Sequence, residues 1–248
     1  MATTVKVGTW NVAWRQPTSL AGKTMRDRLL ASDPEVLCIT EADADFMRGS
    51  GHVICADADY GYPLIRNRRK VLLWSRQPWQ AVDRVGDEIL PPGRFISGCT
   101  ETSAGLLRFV GVCIPWAAAH VSTGRRDRKR WDEHLAYISG LGCHLDRLEE
   151  PFVVMGDFNQ AIPKRTAPAR VYEALCRSVL EQANVFTTGK IEGCGFAIDH
   201  IAGSQGISCK KVGGLSAASP NGTKLSDHFG MWAELSIANS EELKLHWT

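Results

Sequence analysis

The chain has 248 residues, 44% of them hydrophobic and 23% charged, and a net charge of +2. That composition supports a packed core and excludes a disordered chain, while so small a charge imbalance announces no polyanionic partner by itself. The longest apolar runs fall far short of a membrane span. The opening Met1 to Lys6 also lacks the basic start and apolar stretch of a secretion signal, so a soluble, cytoplasmic protein with no membrane contact is expected.

Residues 4 to 11 read as a first strand, running through Val5, Val7 and Trp10 to Asn11. A short helix is predicted over 25 to 32, with Met25, Leu29 and Leu30 at helical spacing and Pro34 as its stop. Val36 to Thr40 is apolar at successive positions, which describes a strand buried on both faces, and Glu41 closes it. Strands follow near 53 to 56 and 71 to 75, with the cations Arg66, Arg68, Arg69 and Lys70 between them. Strands at 94 to 101 and 106 to 114 flank a hairpin-like turn, Glu101 to Gly105.

From about 125 to 148 the pattern turns helical. Trp131, Leu135, Ile138, Leu141, Leu145 and Leu148 recur every three or four residues, a stripe suited to packing on a sheet. The start of that segment places Arg125, Arg126, Arg128, Lys129 and Arg130 around Asp127, a charge run that is more often solvated surface than a phosphate grip. A strand at 152 to 156, a helix at 168 to 182 and strands at 196 to 202, 207 to 213 and 229 to 237 complete the pattern, before a polar tail after about 238. No repeat, linker or composition shift divides 1–248, so a single domain is expected. Strands outnumber helices and several are apolar on both faces, which suits two packed sheets between helices.

Eight cysteines are scattered without a C-x-x-C pair or a close Cys/His group, which argues against zinc and for reduced thiols. Cys38 and Cys113 lie inside apolar strands, where a thiol behaves as a small core side chain.

The polar residues that follow the strands carry the chemistry. A carboxylate ending a buried strand, as Glu41 does, must be paired or bind a cation, because leaving it bare in low dielectric is costly. Gly156 permits a tight turn that sets Asp157 and Asn159 two residues apart; an acid there can orient water and an amide can donate to a phosphoryl oxygen. Asp199 and His228 suggest a carboxylate that fixes an imidazole tautomer. Asp227, adjacent to His228 on extended chain, faces the other way and serves a different role. Each element alone also has a structural explanation, as a salt bridge, a turn or a cap.

Thr9-Trp10-Asn11, Ile39-Thr40-Glu41, Gly156-Asp157-Phe158-Asn159, Ile198-Asp199-His200 and Ser226-Asp227-His228, in this order, resemble the endonuclease/exonuclease/phosphatase superfamily. The resemblance implies an α/β fold, a four-layer sandwich of two packed mixed β-sheets flanked by helices, with a magnesium-dependent phosphoesterase site at one edge; manganese is an alternative cation. It implies Glu41, Asn11 and Asp227 on the metal side, and Asp157, Asn159, Asp199 and His228 as catalytic residues, with the general base left open between Asp157 and His228. His120, Arg126 and Arg130 would touch substrate. Where apurinic-site nucleases of this family carry a tyrosine, this chain has Cys113, which gives no phenol hydrogen bond. The leading reading is a metal-dependent nuclease with nucleic acid as substrate and no obligate protein partner. A phosphatase or phosphodiesterase for a small or lipid-linked phosphate, such as an inositol phosphate, and an inactive phosphate-binding module are the alternatives.

Overall fold

Side chains along one strand alternate between two faces, and here both faces are apolar, so each sheet must be covered twice. The structure is a computed structural model that describes residues 3–238. In chain order it contains β1 (Thr4–Asn11), α1 (Leu20–Ala31), β2 (Val36–Asp43), β3 (His52–Cys55), β4 (Arg68–Ser75), β5 (Trp79–Asp83), β6 (Phe95–Thr102), β7 (Gly105–Cys113), α2 (Asp132–Asp146), β8 (Phe152–Asp157), α3 (Ala169–Leu175), β9 (Asn184–Val185), β10 (Lys190–Ile191), β11 (Gly195–Phe196), β12 (Asp199–Gly203), β13 (Ile207–Leu215) and β14 (Gly230–Ile237). One six-stranded sheet runs β13-β14-β1-β2-β4-β3 and the other β5-β6-β7-β8-β12-β9, with β10 and β11 as a separate hairpin.

The alternation is visible residue by residue. Val5, Val7, Val36 and Cys38 from one sheet meet Phe109, Val153, Met155 and Ile201 from the other in a core between the sheets. The intervening Trp10, Leu37 and Ile39 turn outward and pack on Met25 and Leu29 of α1. On the opposite side, Val110, Val112 and Val154 pack on Tyr137, Ile138 and Leu141 of α2 and on Leu175 of α3. These three cores separate four layers: helix, sheet, sheet, helix. Burying one such Val, Leu or Ile contributes about 1.5–3 kcal/mol, so the cores rather than helix propensity hold the layers.

Several boundaries differ from the sequence expectation for identifiable reasons. Helix α1 begins at Leu20, not 25, because Ser19 caps it by accepting from the Gly22 amide, while Leu20 is 81% exposed and adds nothing to the apolar spacing. Helix α2 starts only at Asp132: Arg125 and Arg128 both fold back onto Glu133, and Trp131 stands in a left-handed conformation at φ 77°. Residues 125–131 are therefore an irregular loop. The helix expected over 168 to 182 is α3 followed by a π-helical turn, Cys176–Leu180. The strand expected over 196 to 202 is split, because Phe196 pairs with Lys190 in the small hairpin and β12 begins at Asp199. Edge strand β5, mostly exposed and irregular, carried no alternation to find. The tail after 238 lies outside the described residues.

All eight cysteines are free. Burial pushes the Cys113 thiol up to about 12, which makes it an inert core group. Among the described residues no helix is long and apolar enough to cross a membrane.

One glycine is dictated by close approach. Gly156 has φ 137°, and a β-carbon there would lie 2.0 Å from the Val112 carbonyl oxygen of the neighbouring strand. Gly156→Ala is expected to cost about 2–4 kcal/mol through strain and the forced separation of β7 and β8. An unchanged urea midpoint would contradict that close packing.

Candidate active site

Strand direction brings the polar residues together. β1 and β2 run parallel with Asn11 opposite Thr40, so Asn11 and Glu41 leave one sheet at the same edge. In the other sheet β7 and β8 run parallel with Cys113 opposite Asp157, and antiparallel β12 sets its first residue, Asp199, opposite Asp157. β14 is antiparallel to β1, so the residues just before it, Ser226 to His228, return to that edge. Three hydrogen bonds lock the return: Ser226 Oγ donates to the Asn11 carbonyl at 2.7 Å, the His228 amide donates to Ser226 Oγ at 3.2 Å, and Trp10 Nε1 donates to the His228 carbonyl at 2.9 Å.

His228 Nδ1 lies 2.6 Å from Asp199 Oδ2. The Asp157 carboxylate accepts from Asn11 Nδ2 at 3.0 Å and from the Asn159 amide at 2.9 Å, while Asn159 Nδ2 donates to the Ile114 carbonyl at 2.8 Å. Ligand atoms of Asp157, Asp199 and His228 fall within 4.8 Å of one another. Glu41 accepts from Lys70 Nζ at 2.6 Å, and Asp227 is exposed at the cleft mouth. Glu41 and Asn159 hold left-handed backbone, at φ 51° and 52°, which costs about 1–3 kcal/mol each and persists where surrounding structure imposes it.

Burial, reinforced by the Asp199 charge, raises the Asp157 carboxyl to about 7. For His228 burial works the other way and is overridden by Asp199, through charge and hydrogen bond, so the imidazole is pushed up to about 10. Neighbouring groups are thus driven apart in proton affinity: at neutral pH the imidazole is charged and the Asp157 carboxyl is near its midpoint.

These residues line a cleft of about 560 Å³. Asn11, Glu41, Asp157, Asn159, Asp227 and His228 lie on it, and Asp199 stands behind His228. Its walls add residues absent from the motifs. Trp14 stacks on Tyr60 at 6.1 Å between centroids, and Tyr60 lies 5.7 Å from Tyr62. Arg68 and Lys70 sit over Trp14, Arg94 also lines the cleft and Trp116 is 48% exposed. Arg68 and Lys70 belong to the cationic run of the sequence; the aromatic wall comes from loops, and Arg94, expected as the first residue of a strand, stands just before β6.

Three expected substrate contacts are not on the cleft. His120 is fully buried behind Tyr62, 4.5 Å from its ring, with Nδ1 accepting from the Arg125 amide and Nε2 3.7 Å from Glu133. Arg126 and Arg130 lie exposed on the 125–131 loop, and neither lines the cleft. Glu133, itself 3% exposed, instead pins that loop by pairing with Arg125 and Arg128.

Behind the site a chain of buried polar groups fixes the turn after Asp157. His134 Nδ1 donates to the Pro115 carbonyl at 2.6 Å and its Nε2 accepts from Gln160 Nε2 at 2.7 Å, an arrangement that requires a neutral ring. His200 Nε2 donates to the Gln160 carbonyl at 2.9 Å. Burial pushes His134 down from 6.5 to about 4 and lowers His200 as well. Below pH 6.5 the unfolded chain takes up a proton that native His134 refuses, so stability falls on acidification across that window. The expected loss from His134 alone is about 2 kcal/mol by pH 5. Urea midpoints measured at pH 7 and pH 5 check this; equal values would contradict it.

Oxygen donors from exposed Asp227, half-buried Glu41 and buried Asn11, all lining the cleft, are of the kind a hard divalent cation takes from a protein while keeping several of its waters. The deeper Asp199 adds a buried oxygen, Oδ1, that has no hydrogen-bond partner.

A two-sheet sandwich with carboxylates, amides and an aspartate-backed imidazole at one edge defines a hydrolase of the phosphoesterase class. The endonuclease/exonuclease/phosphatase family model matches residues 8–228, and the chain belongs to that family, whose members generally depend on a divalent metal. No curated protein matches the chain. Among solved structures, a 3′-5′ exonuclease from Neisseria meningitidis is similar at TM-score 0.67 and 20% identity, covering 94% of this chain and 100% of that one. A 3′ phosphatase from Neisseria bound to product DNA hairpin gives 0.66 and 19%, covering 94% and 99%. The human Nocturnin catalytic domain with bound sulfate anion gives 0.62 and 16%, covering 95% and 94%. At these identities the likeness establishes the shared fold.

Proposed function

We propose that the protein is a divalent-cation-dependent phosphodiester hydrolase acting on nucleic acid, with water attacking phosphorus in line with the leaving oxygen. The observation that carries this reading is the Asp199–His228 pair, 2.6 Å apart, set beside the Asn11-held carboxylate of Asp157 on one cleft. Proximity alone groups Asp157, Asp199 and His228 as cation ligands. We assign the cation to Glu41, Asn11 and Asp227 instead, because Asp199 already occupies His228 Nδ1 and because the exposed Asp227 and the partly exposed Glu41 leave room for a cation that retains water. When bound, magnesium or manganese supplies positive charge that offsets the charge developing on the phosphoryl and leaving oxygens.

The other roles follow from the protonation states and the hydrogen bonds. Asp157, oriented by Asn11 and the Asn159 amide, takes the proton of the attacking water; a carboxyl raised to about 7 is basic enough to do so and still half ionised at neutral pH. His228 keeps Nδ1–H on Asp199 and offers Nε2–H to a nonbridging phosphoryl oxygen. A ring pushed up to about 10 holds its proton at neutral pH, which favours this donor role over that of base. The second N–H of Asn159, the first being held by Ile114, donates to the same phosphoryl group.

Nucleic acid as substrate is supported by the cleft walls, where the exposed Trp116 offers a stacking face on a cleft also lined by Arg68, Lys70 and Arg94. The likeness to a Neisseria phosphatase solved with a DNA hairpin supports it further. The test is a panel of single-stranded, duplex and abasic oligonucleotides alongside an inositol phosphate, each with magnesium, manganese or EDTA. Cation-dependent cleavage of an oligonucleotide is expected. Release from the inositol phosphate alone would overturn the substrate assignment, and no hydrolysis of any phosphoester would overturn the activity.

A further inference from the structure

Arg94 is 2% exposed, among the largest fully enclosed side chains of the molecule, yet it lines the cleft. Its Nε has no hydrogen-bond partner, and its one polar contact is a long one, Nη1 to the Cys113 carbonyl at 3.5 Å. Among the described residues it forms no ion pair, whereas Lys70 has Glu41, Arg108 has Glu150 and Arg125 has Glu133. A guanidinium cannot shed its proton, so an enclosed, unpaired one is a standing cost to the fold.

The surroundings hold it there. The Arg94 carbonyl accepts from Tyr137 Oη at 2.7 Å and from the Cys113 amide at 2.9 Å. Gly93 stands at φ 66°, where a β-carbon would lie 2.2 Å from the Asp59 carbonyl oxygen, so the chain before Arg94 is pressed against the segment leading to Tyr60. The guanidinium sits 5.9 Å from the Tyr60 ring centre. Its field reaches the opposite wall as well: against burial, the Tyr62 hydroxyl is held below its ordinary value by bonds to Thr123 and His120 and by the Arg94 charge. Cys113, whose carbonyl the Arg94 head reaches, pairs in register with Asp157, so the cation abuts the strand next to the one that carries the carboxylate.

We infer that Arg94 is the anchor of a second anion subsite, which receives a phosphate group of the substrate adjacent to the one being cut. The inference rests on the phosphodiesterase reading and narrows it: the preferred substrate carries two neighbouring phosphates. A planar fork in a dry wall suits phosphoryl oxygens, and the incoming anion supplies the partner that the fold withholds. The second phosphate has two sources, a terminal phosphomonoester or the next diester of a longer strand.

The experiment compares wild type with Arg94→Met and Arg94→Lys on three substrates: a dithymidine diester, the same diester with an added terminal phosphate, and a trithymidine. Wild type is expected to favour one or both of the two-phosphate substrates in kcat/KM. In Arg94→Met that preference falls about tenfold or more, whatever the absolute rates, because a charge-assisted bond is lost on one side of the ratio only. Arg94→Lys restores part of it. Preference for the terminally phosphorylated dinucleotide over the trinucleotide identifies a monoester, and the reverse identifies a flanking diester. Calorimetric binding of inorganic pyrophosphate without added metal is expected to weaken by a similar factor in Arg94→Met. The melting temperature of that variant stays level or rises, since a costly buried charge is gone.

A wild type with no preference for the second phosphate overturns the inference. So does an Arg94→Met variant that slows all three substrates equally, which would put Arg94 on the cleaved phosphate, or one that melts lower with its preference intact. If wild type hydrolyses nothing yet binds pyrophosphate through Arg94, the phosphodiesterase reading alone fails.

Discussion

Asp157→Asn is expected to lower phosphodiester turnover by roughly 100- to 10,000-fold, the range over which a positioned general base acts. The substitution keeps the shape and the acceptor for the Asn159 amide but removes the oxygen proposed to take the proton. Its effect on stability should go the other way. A carboxyl raised to about 7 is destabilising when ionised, because the unfolded chain ionises it freely at neutral pH while the native environment resists. The neutral amide lifts that penalty, although it sets two N–H groups, its own and that of Asn11, against each other. A melting temperature within a few degrees of wild type, combined with the kinetic loss, is the expected signature. Near-wild-type turnover would remove Asp157 from the chemistry.

The second large effect concerns His228 and Asp199 together. His228→Ala should reduce turnover roughly 100- to 1000-fold, as loss of one fixed donor to the reacting centre does. Asp199 touches the ring at Nδ1 and acts through it, setting its tautomer and holding its charge. Asp199→Asn alone should therefore be costly, while adding it to His228→Ala should cost little more. Independent, multiplicative losses would show that Asp199 reaches the substrate by another route, for which its unpartnered Oδ1 is the available atom.

The fold was legible wherever burial imposed a period. β2 and β8 are apolar at consecutive positions because Val153 and Met155 face one core and Val154 the other, so the sequence announces strands covered on both faces. β1 and β8 end in Asn11 and Asp157, Glu41 stands two residues before the end of β2, which runs on to Asp43, and the parallel pairings carry these positions to one edge. What the sequence hides is stabilised by contacts without a period. Trp131 extends the apolar stripe of α2, yet Arg125 and Arg128 fold back onto Glu133 and the segment before Asp132 is a loop. His120, expected to touch substrate, is buried with Tyr62 against its ring. Trp14, Tyr60 and Arg94 meet across loops far apart in sequence, so no local pattern marked the cleft wall.

The central claim is that these groups hold a phosphorus centre open to water in the presence of a divalent cation. The most direct measurement is oligonucleotide hydrolysis in heavy-oxygen water, with magnesium and then with EDTA, read by mass spectrometry of the released phosphate. The account predicts one solvent oxygen bonded to phosphorus per cleavage and no reaction in EDTA. Cleavage that places the label elsewhere, or that proceeds undiminished in EDTA, would contradict it.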